Sequence, residues 1–342
     1  MMSSSSPLRW GLLATGGIAR QFANALQETD LGVLTAVGSR QLASAEAFAR
    51  DFGGVRAHGS YRALLDDPEV EAVYISPPHP LHAEWAIEAA RAGKHILCEK
   101  PLTMNLAEAE AVVAAAHEAD VFLMEAFMYR CHPFVARLGE IVASGEIGEV
   151  GLIESAFGFG RAFDPAHRLF NRELGGGGIL DLGCYPMSVS RFIAGAAMGR
   201  PFADPIEVVG VAKLSDVTSV DVVATASVKF ENGILAALSC GPSLPMDNRV
   251  RVFGTLGSLE VGSRPWHAPR AGAPVVLRVT ANDGATREEE VTDARSVYAI
   301  EADAVARAIR GGLRESPHMS VADSLGNIRA LDRWLAAVGV SY

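Results

Sequence analysis

Short apolar runs and amphipathic stretches alternate along the first third of the chain. Leu8 to Leu13 has strand length and ends in Ala14-Thr15-Gly16-Gly17. Behind it Ile18, Phe22, Ala25 and Leu26 recur on one face, a spacing that predicts a helix. Leu31 to Val37 predicts a second strand, stopped by Gly38-Ser39-Arg40, and Ala43 to Phe52 a helix, stopped by Gly53-Gly54. Val70 to Ile75 reads as a buried strand broken by Pro77-Pro78, and Leu81 to Ala92 as a helix that ends at Gly93. His95 to Cys98 is another strand, Leu106 to Glu118 an Ala-rich helix, and Val121 to Met124 a last short strand. Such alternation with short connections implies a doubly wound parallel sheet, helices on both faces. A mixed α+β domain is the alternative, and it accounts less well for the regular recurrence.

The pattern then changes. Val150 to Phe159, Val208 to Leu214, Val220 to Phe230, Gly233 to Ser239, Val250 to Phe253 and Val275 to Thr280 predict strands. Val220 to Val228 partly alternates, as a strand with one wet face does. Glu231-Asn232-Gly233 suits a hairpin turn. Two helices follow, near Ala299–Ile309 and Val321–Ala337. The change from parallel to antiparallel patterning lies between residues 124 and 150. We therefore place a domain boundary there, dividing residues 7–126 from 127–342. No repeat of fixed period is present.

Composition narrows the function classes. The 342 residues are 49% apolar and 20% charged, a globular balance with material for a large core. Net charge is −10, which argues against a broad surface for nucleic acid or anionic lipid. Cys98, Cys131, Cys184 and Cys240 form no CxxC pair, so neither a disulfide framework nor a cysteine zinc site is expected. A reducing cytoplasm suits them. No apolar run is long enough to span a bilayer, and the Ser-rich start, Met1 to Pro7, reads as a loose tail.

The first candidate for chemistry is the Gly-rich turn between the first strand and helix. Backbone N–H groups and the positive helix end favour an anion there, such as a dinucleotide pyrophosphate. Ala14-Thr15-Gly16-Gly17-Ile18-Ala19 matches G-x-G-x-x-G/A with alanine in place of the first glycine. A plain Gly-rich turn is the alternative. After the second strand, an acid would take the ribose hydroxyls of NAD; this chain carries Ser39-Arg40 instead. Arg40 suits a 2′-phosphate, and Ser39 can donate to it. Hence NADP is expected as cofactor, with NAD as second choice. A solvated surface arginine is the other reading of Arg40.

Two further stretches carry reactive side chains. Glu99-Lys100-Pro101 follows the strand at His95–Cys98, at the end of a sheet where ligands bind. Pro101 disfavours helix at Lys100. A buried Lys–Glu ion pair is the alternative role. The second stretch runs Gly175-Gly176-Gly177-Gly178-Ile179-Leu180-Asp181-Leu182-Gly183-Cys184-Tyr185-Pro186. If helical, it places Asp181 and Tyr185 on one face, although Gly183 and Pro186 make that helix irregular. By residue type alone, Tyr185 could equally be a core or interface tyrosine. His79 and His82 lack a further ligand at zinc spacing, so no metal is expected.

Taken in series, these stretches resemble the Gfo/Idh/MocA oxidoreductases, over nearly the whole chain. The resemblance rests on Trp10-Gly11 with Gly16-Gly17-Ile18-Ala19, Ser76-Pro77-Pro78-His79-Pro80-Leu81-His82, Glu99-Lys100-Pro101, Met124-Glu125-Ala126-Phe127-Met128-Tyr129-Arg130, and Gly176 to Tyr185. Tyrosine at position 185 is similar to the dihydrodiol and NADP-dependent D-xylose dehydrogenase branch, where inositol dehydrogenase types carry histidine. The resemblance implies an N-terminal Rossmann domain and a C-terminal α/β domain with an open, mostly antiparallel sheet that joins subunits as a homodimer or larger homo-oligomer. It implies cofactor contacts from Thr15, Gly16, Gly17, Ile18, Ser39, Arg40, Pro78, His79, His82, Glu99 and Lys100. Catalytic roles fall on Lys100, Tyr185 and Asp181, with a sugar or diol as substrate. It also implies a cis Lys100–Pro101 bond, against about 5–6% for an arbitrary X–Pro bond. The chain departs from the family pattern at Ala14, Pro77, His79 and Tyr129.

On this reading Tyr185 moves the proton of a CH–OH group while nicotinamide takes the hydride. A free phenol, with a pKa of about 10, is a weak base at neutral pH. The Lys100 ammonium and oxidised nicotinamide favour its phenolate. A non-enzymatic NADP-binding regulator and a tetrapyrrole reductase are the competing classes. Asp181, Tyr185, Arg168 and Tyr298 are grouped as a polar pocket, which suits a polyhydroxylated ligand.

Overall fold

A computed structural model describes residues 6–262, 265–267 and 272–342. The first five residues of the Ser-rich start lie outside the described residues. The chain divides into two compact units. One runs to Cys131 and takes up Arg295–Ser324; the other comprises His132–Ala294 and Leu325–Tyr342.

The first unit is a parallel sheet with helices. Its strands are β1 (Leu8–Leu13), β2 (Gly32–Gly38), β3 (Arg56–His58), β4 (Ala72–Ile75), β5 (His95–Glu99) and β6 (Leu123–Ala126), in the order β3-β2-β1-β4-β5-β6. Its helices include α1 (Gly17–Ala25), α2 (Leu42–Asp51), α3 (Tyr61–Leu65), α4 (His82–Arg91) and α5 (Leu106–Glu118). The apolar runs become fully buried strands: all four residues of the inner strand β4 and all four of the terminal strand β6 are buried. Such strands need cover on both faces, which the Ala-rich sides of α1, α4 and α5 supply. Phe22 of α1 stacks on Tyr74 of β4 at 4.1 Å and meets Trp10 of β1 edge-on at 5.1 Å. The strand at β3 and the short α3 were not legible in the sequence, since β3 has no buried residue and α3 spans little more than one turn.

The second unit holds an eight-stranded sheet. Along the chain come α6 (Pro133–Ala143), β7 (Val150–Gly158), α7 (Cys184–Ala197), β8 (Glu207–Leu214), β9 (Asp221–Lys229), β10 (Leu235–Gly241), β11 (Val250–Gly254), β12 (Gly257–Val261), β13 (Val275–Ala281) and β14 (Thr286–Val291). Their order is β14-β13-β12-β11-β7-β10-β9-β8. Only β7 and β10 run parallel; every other pair is antiparallel. The expected hairpin turn at Glu231-Asn232-Gly233 joins β9 to β10, with Asn232 and Gly233 at positive φ. One face of the sheet is buried. The other alternates outward, with Val209 and Val211 of β8 at 56% and 71% exposure. The fold class expected from the sequence is the one observed.

Two helices close the chain: α8 (Val297–Arg310) and α9 (Val321–Ala337). The sequence reading placed all of 127–342 in the second domain, and here the structure corrects it: α8 belongs to the first unit. The Asp303 carboxylate accepts from Thr29 and pairs with Arg295 and with Arg307, while the Ser296 N–H donates to Glu28. The links to Thr29 and Glu28 span more than 260 residues, so no local pattern announces them.

Candidate active site

In the first unit, β1 runs into the Gly-rich turn and α1 begins at Gly17. The head of α1 has no side-chain cap and no acid in its first turn. A Cβ placed on Gly16 or Gly17 would meet nothing within 4 Å. The amides of Gly16, Gly17 and Ile18 therefore border open space on the positive end of a helix, with Thr15 half-buried beside them. Ala14 has a φ of +101°, a conformation that favours glycine, and its N–H donates to the Gly38 carbonyl at 3.1 Å. Alanine thus keeps the backbone path of the missing glycine. That hydrogen bond also sets the end of β2 beside the turn. There Ser39 is buried and Arg40 exposed, with no ion pair to Arg40 among the described residues. A dinucleotide fits these residues: uncapped amides for its pyrophosphate, and a hydroxyl and guanidinium after β2.

Along the same sheet edge, β5 ends in Glu99 and Lys100 follows, half-buried, with a cis bond to Pro101. Tyr74 donates its hydroxyl to Glu99 Oε1, and the Lys100 N–H donates to Glu99 Oε2 at 3.2 Å. Glu99 is thereby fixed by its neighbour strand and by the residue it precedes. His82, fully buried, ties two loops: Nδ1 lies 2.8 Å from the Pro101 carbonyl and Nε2 3.0 Å from that of Pro77. Burial, then His79 nearby, lowers its pKa to about 3, so the ring is neutral and donates to one of the two. The His79 ring meets it edge-on at 5.6 Å, and Pro78, half-buried, directly precedes His79.

Behind Glu99 stands a group that sequence reasoning missed. Glu301 of α8 is fully buried, and neither carboxyl oxygen has a hydrogen-bond partner among the described residues. Burial, then the Glu99 charge, pushes its carboxyl well above the ordinary range. Tyr298, which the sequence reading grouped with Asp181, Tyr185 and Arg168, belongs to the first unit, in this cluster. Burial, then Glu99 and Glu301, raise its phenol. One signal was present: Glu301 lies on the apolar stripe of its helix, among Val297, Ile300 and Val305, where an acid is out of place.

In the second unit the polypeptide makes a π-helical turn, Ile179–Gly183, and continues as α7. This is the irregularity that Gly183 and Pro186 foretold. Asp181 and Tyr185 both lie at 3% exposure, one turn apart. Arg168 donates to Asp181 Oδ1 at 3.0 Å. Tyr185 is walled by aromatic rings: Phe157 edge-on at 5.2 Å and Trp266 tilted at 5.7 Å, the latter held by its indole N–H to the Ala156 carbonyl at 3.1 Å. Neither ring was singled out in the sequence, because their meeting depends on β7 and on a segment over a hundred residues later.

The four glycines leave no side chain where other groups press in. Tyr342 donates its hydroxyl to the Gly176 carbonyl. Asp221, fully buried at the start of β9, accepts from the Ile179 N–H at 2.6 Å. Burial pushes this carboxyl up to about 7, against the pull of the Ile179, Asp221 and Gly178 amides.

Known proteins share this architecture. Residues 8–127 match the model of the GFO_IDH_MocA oxidoreductase family, NAD-binding Rossmann fold, and residues 135–260 that of the GFO/IDH/MocA C-terminal domain. The chain is 35% identical to a D-xylose 1-dehydrogenase (NADP(+)) of Haloferax volcanii, covering 95% of each. It is 32% identical to the trans-1,2-dihydrobenzene-1,2-diol dehydrogenase of Danio rerio, covering 98% of each. Among solved structures, the 3-ketoreductase KijD10 of Actinomadura kijaniata, in complex with NADP and TDP-benzene, aligns with a TM-score of 0.87. It is 31% identical and covers 97% of this chain and 98% of that one.

Proposed function

The chain belongs to the Gfo/Idh/MocA oxidoreductase family, and from that premise we propose that it is an NADP-dependent dehydrogenase or reductase acting on the CH–OH group of a sugar or related diol. The observation that supports this most is the buried Asp181–Tyr185 pair on one helical turn. A phenol there can exchange a proton with a substrate oxygen, and an adjacent carboxylate held by Arg168 can orient hydroxyls. A ligand rich in hydroxyls, such as a sugar, uses both. The substrates named for the Haloferax and Danio relatives belong to this class.

Bound NADP would supply the hydride acceptor or donor. The amides of Gly16, Gly17 and Ile18, with Thr15, would hold its pyrophosphate, and Ser39 and Arg40 its 2′-phosphate. Pro78, His79, His82 and Glu99 would border the nicotinamide. Tyr185 accepts the proton of the substrate hydroxyl during oxidation and returns it during reduction. Lys100 donates a hydrogen bond to the same oxygen and favours the phenolate of Tyr185 by its charge. Glu99 orients Lys100 through the backbone. The open, outward-alternating face of the eight-stranded sheet serves a homo-oligomer, and the four buried thiols suit a reducing cytoplasm.

The test is steady-state NADP⁺ reduction with D-xylose, D-glucose and trans-1,2-dihydrobenzene-1,2-diol, preceded by thermal shifts with NADPH and NADH. Turnover of at least one of the three, with the larger shift from NADPH, is expected. NADPH binding without turnover of any of them would favour a non-enzymatic regulator.

A further inference from the structure

A helix head leaves its first N–H groups without intrahelical partners, and a residue just before it normally supplies the acceptor. The helix that carries Asp181 and Tyr185 has no such residue. Gly178 stands at the N-cap with no side chain to cap the turn, and three more glycines precede it. Glycine backbone is also the most expensive to hold in one conformation. Something outside the segment must fix it.

Asp221 does so from β9, 42 residues later in sequence. Its Oδ2 accepts from the Ile179 N–H at 2.6 Å, and the Gly178 amide also points at the carboxyl. Gly177, at φ +113°, is the point of closest approach: a Cβ there would collide with Asp221 Oδ1 and with the Tyr342 hydroxyl. Tyr342 grips the preceding peptide through its hydrogen bond to the Gly176 carbonyl. Its ring is covered by the Arg172 guanidinium, 5.5 Å from the ring centre, and Arg172 also donates to the Ser219 carbonyl at 3.3 Å. The glycine run is thus pressed between a carboxyl group and a phenol.

We infer that Asp221 is a positioning residue: it holds the head of the π-turn and thereby sets where Asp181 and Tyr185 stand, with Tyr342 as its aid. The inference rests on the proposed roles of those two residues. Asp221 touches neither substrate nor cofactor in this account. Its effect is on the turn, so an uncharged acceptor of the same shape serves as well.

The test compares Asp221→Ala, Asp221→Asn and Tyr342→Phe by amide hydrogen exchange over residues 176–185, by NADP⁺ reduction with D-xylose, and by NADPH titration. Asp221→Ala should exchange at least tenfold faster across 176–185 and lose at least tenfold in kcat, with NADPH affinity within twofold. Asp221→Asn should restore both within threefold. Unchanged exchange in Asp221→Ala, or no rescue by asparagine, overturns the inference. Should the alanine variant not fold, Tyr342→Phe decides: faster exchange over 176–178 supports the inference, and unchanged exchange overturns it. Tyr185→Phe, run beside them, separates the two readings. If it retains turnover, the role of Tyr185 fails, while the exchange data still judge Asp221.

Discussion

Replacing Arg40 with alanine tests cofactor choice with little risk to the fold. The side chain is exposed and has no ion pair among the described residues, so its removal strands no partner. Its charge acts on Tyr61, a residue of α3 whose phenol is raised by burial despite the arginine. A well-formed charge-assisted hydrogen bond contributes about 1.5–3 kcal/mol. Exposure and salt hold the Arg40 contribution near the lower end, about 1.5–2 kcal/mol. At about 1.4 kcal/mol per decade, that is roughly a 10- to 30-fold loss of affinity. The loss applies to NADPH alone, since NADH has no 2′-phosphate for the guanidinium to meet. Fluorescence titration of both cofactors at 50 and 300 mM salt measures it, and the NADPH difference should shrink at the higher salt. Equal loss for both cofactors, or none for either, would refute the assignment of Ser39-Arg40 to the 2′-phosphate.

Two stability predictions accompany it. Ala14→Gly removes a Cβ from a φ of +101°, which relieves about 1–2 kcal/mol of strain and adds about 0.4–1 kcal/mol of unfolded-state entropy. The net gain is up to about 1.6 kcal/mol, a rise in Tm of up to about 2 °C by scanning calorimetry, and a fall in Tm would show that the turn is not strained. Asp67 is the second case. Burial pushes its carboxyl up, but the Glu69 amide, His58 and Arg56 together outweigh burial and hold it below its ordinary value. Its folded pKa is therefore below its unfolded one, so its contribution is present above about pH 4 and lost as pH falls through the folded value. Asp67→Asn should lower Tm at pH 7 and flatten the acid-side decline, and an unchanged acid limb would contradict this.

Legibility in the sequence followed apolar density. Strands β1, β4 and β5 are near-continuous apolar runs, and their predicted limits fall within two residues of those observed. Strand β14 has the sequence Thr-Arg-Glu-Glu-Glu-Val and lies at the sheet edge, so it carries no apolar signal. Helix α6 falls in the stretch read only as a boundary, although Pro133 at its first position and the His132 cap mark its start. At the candidate site, short motifs marked Gly16, Lys100, Asp181 and Tyr185. Tyr74 and Glu301, beside Glu99, and Asp221 and Trp266, against Ile179 and Tyr185, come from distant segments and follow no spacing rule. A carboxyl in an apolar stripe, as at Glu301, was the one clue the pattern contained.

The central claim is that Lys100 and Tyr185 serve one substrate oxygen. A double-mutant cycle on kcat for D-xylose oxidation, with Lys100→Ala, Tyr185→Phe and both together, tests it directly. Groups that act as a unit predict a double variant about as slow as the slower single one. Losses that multiply would mean that the two side chains work independently, and the claim would fall.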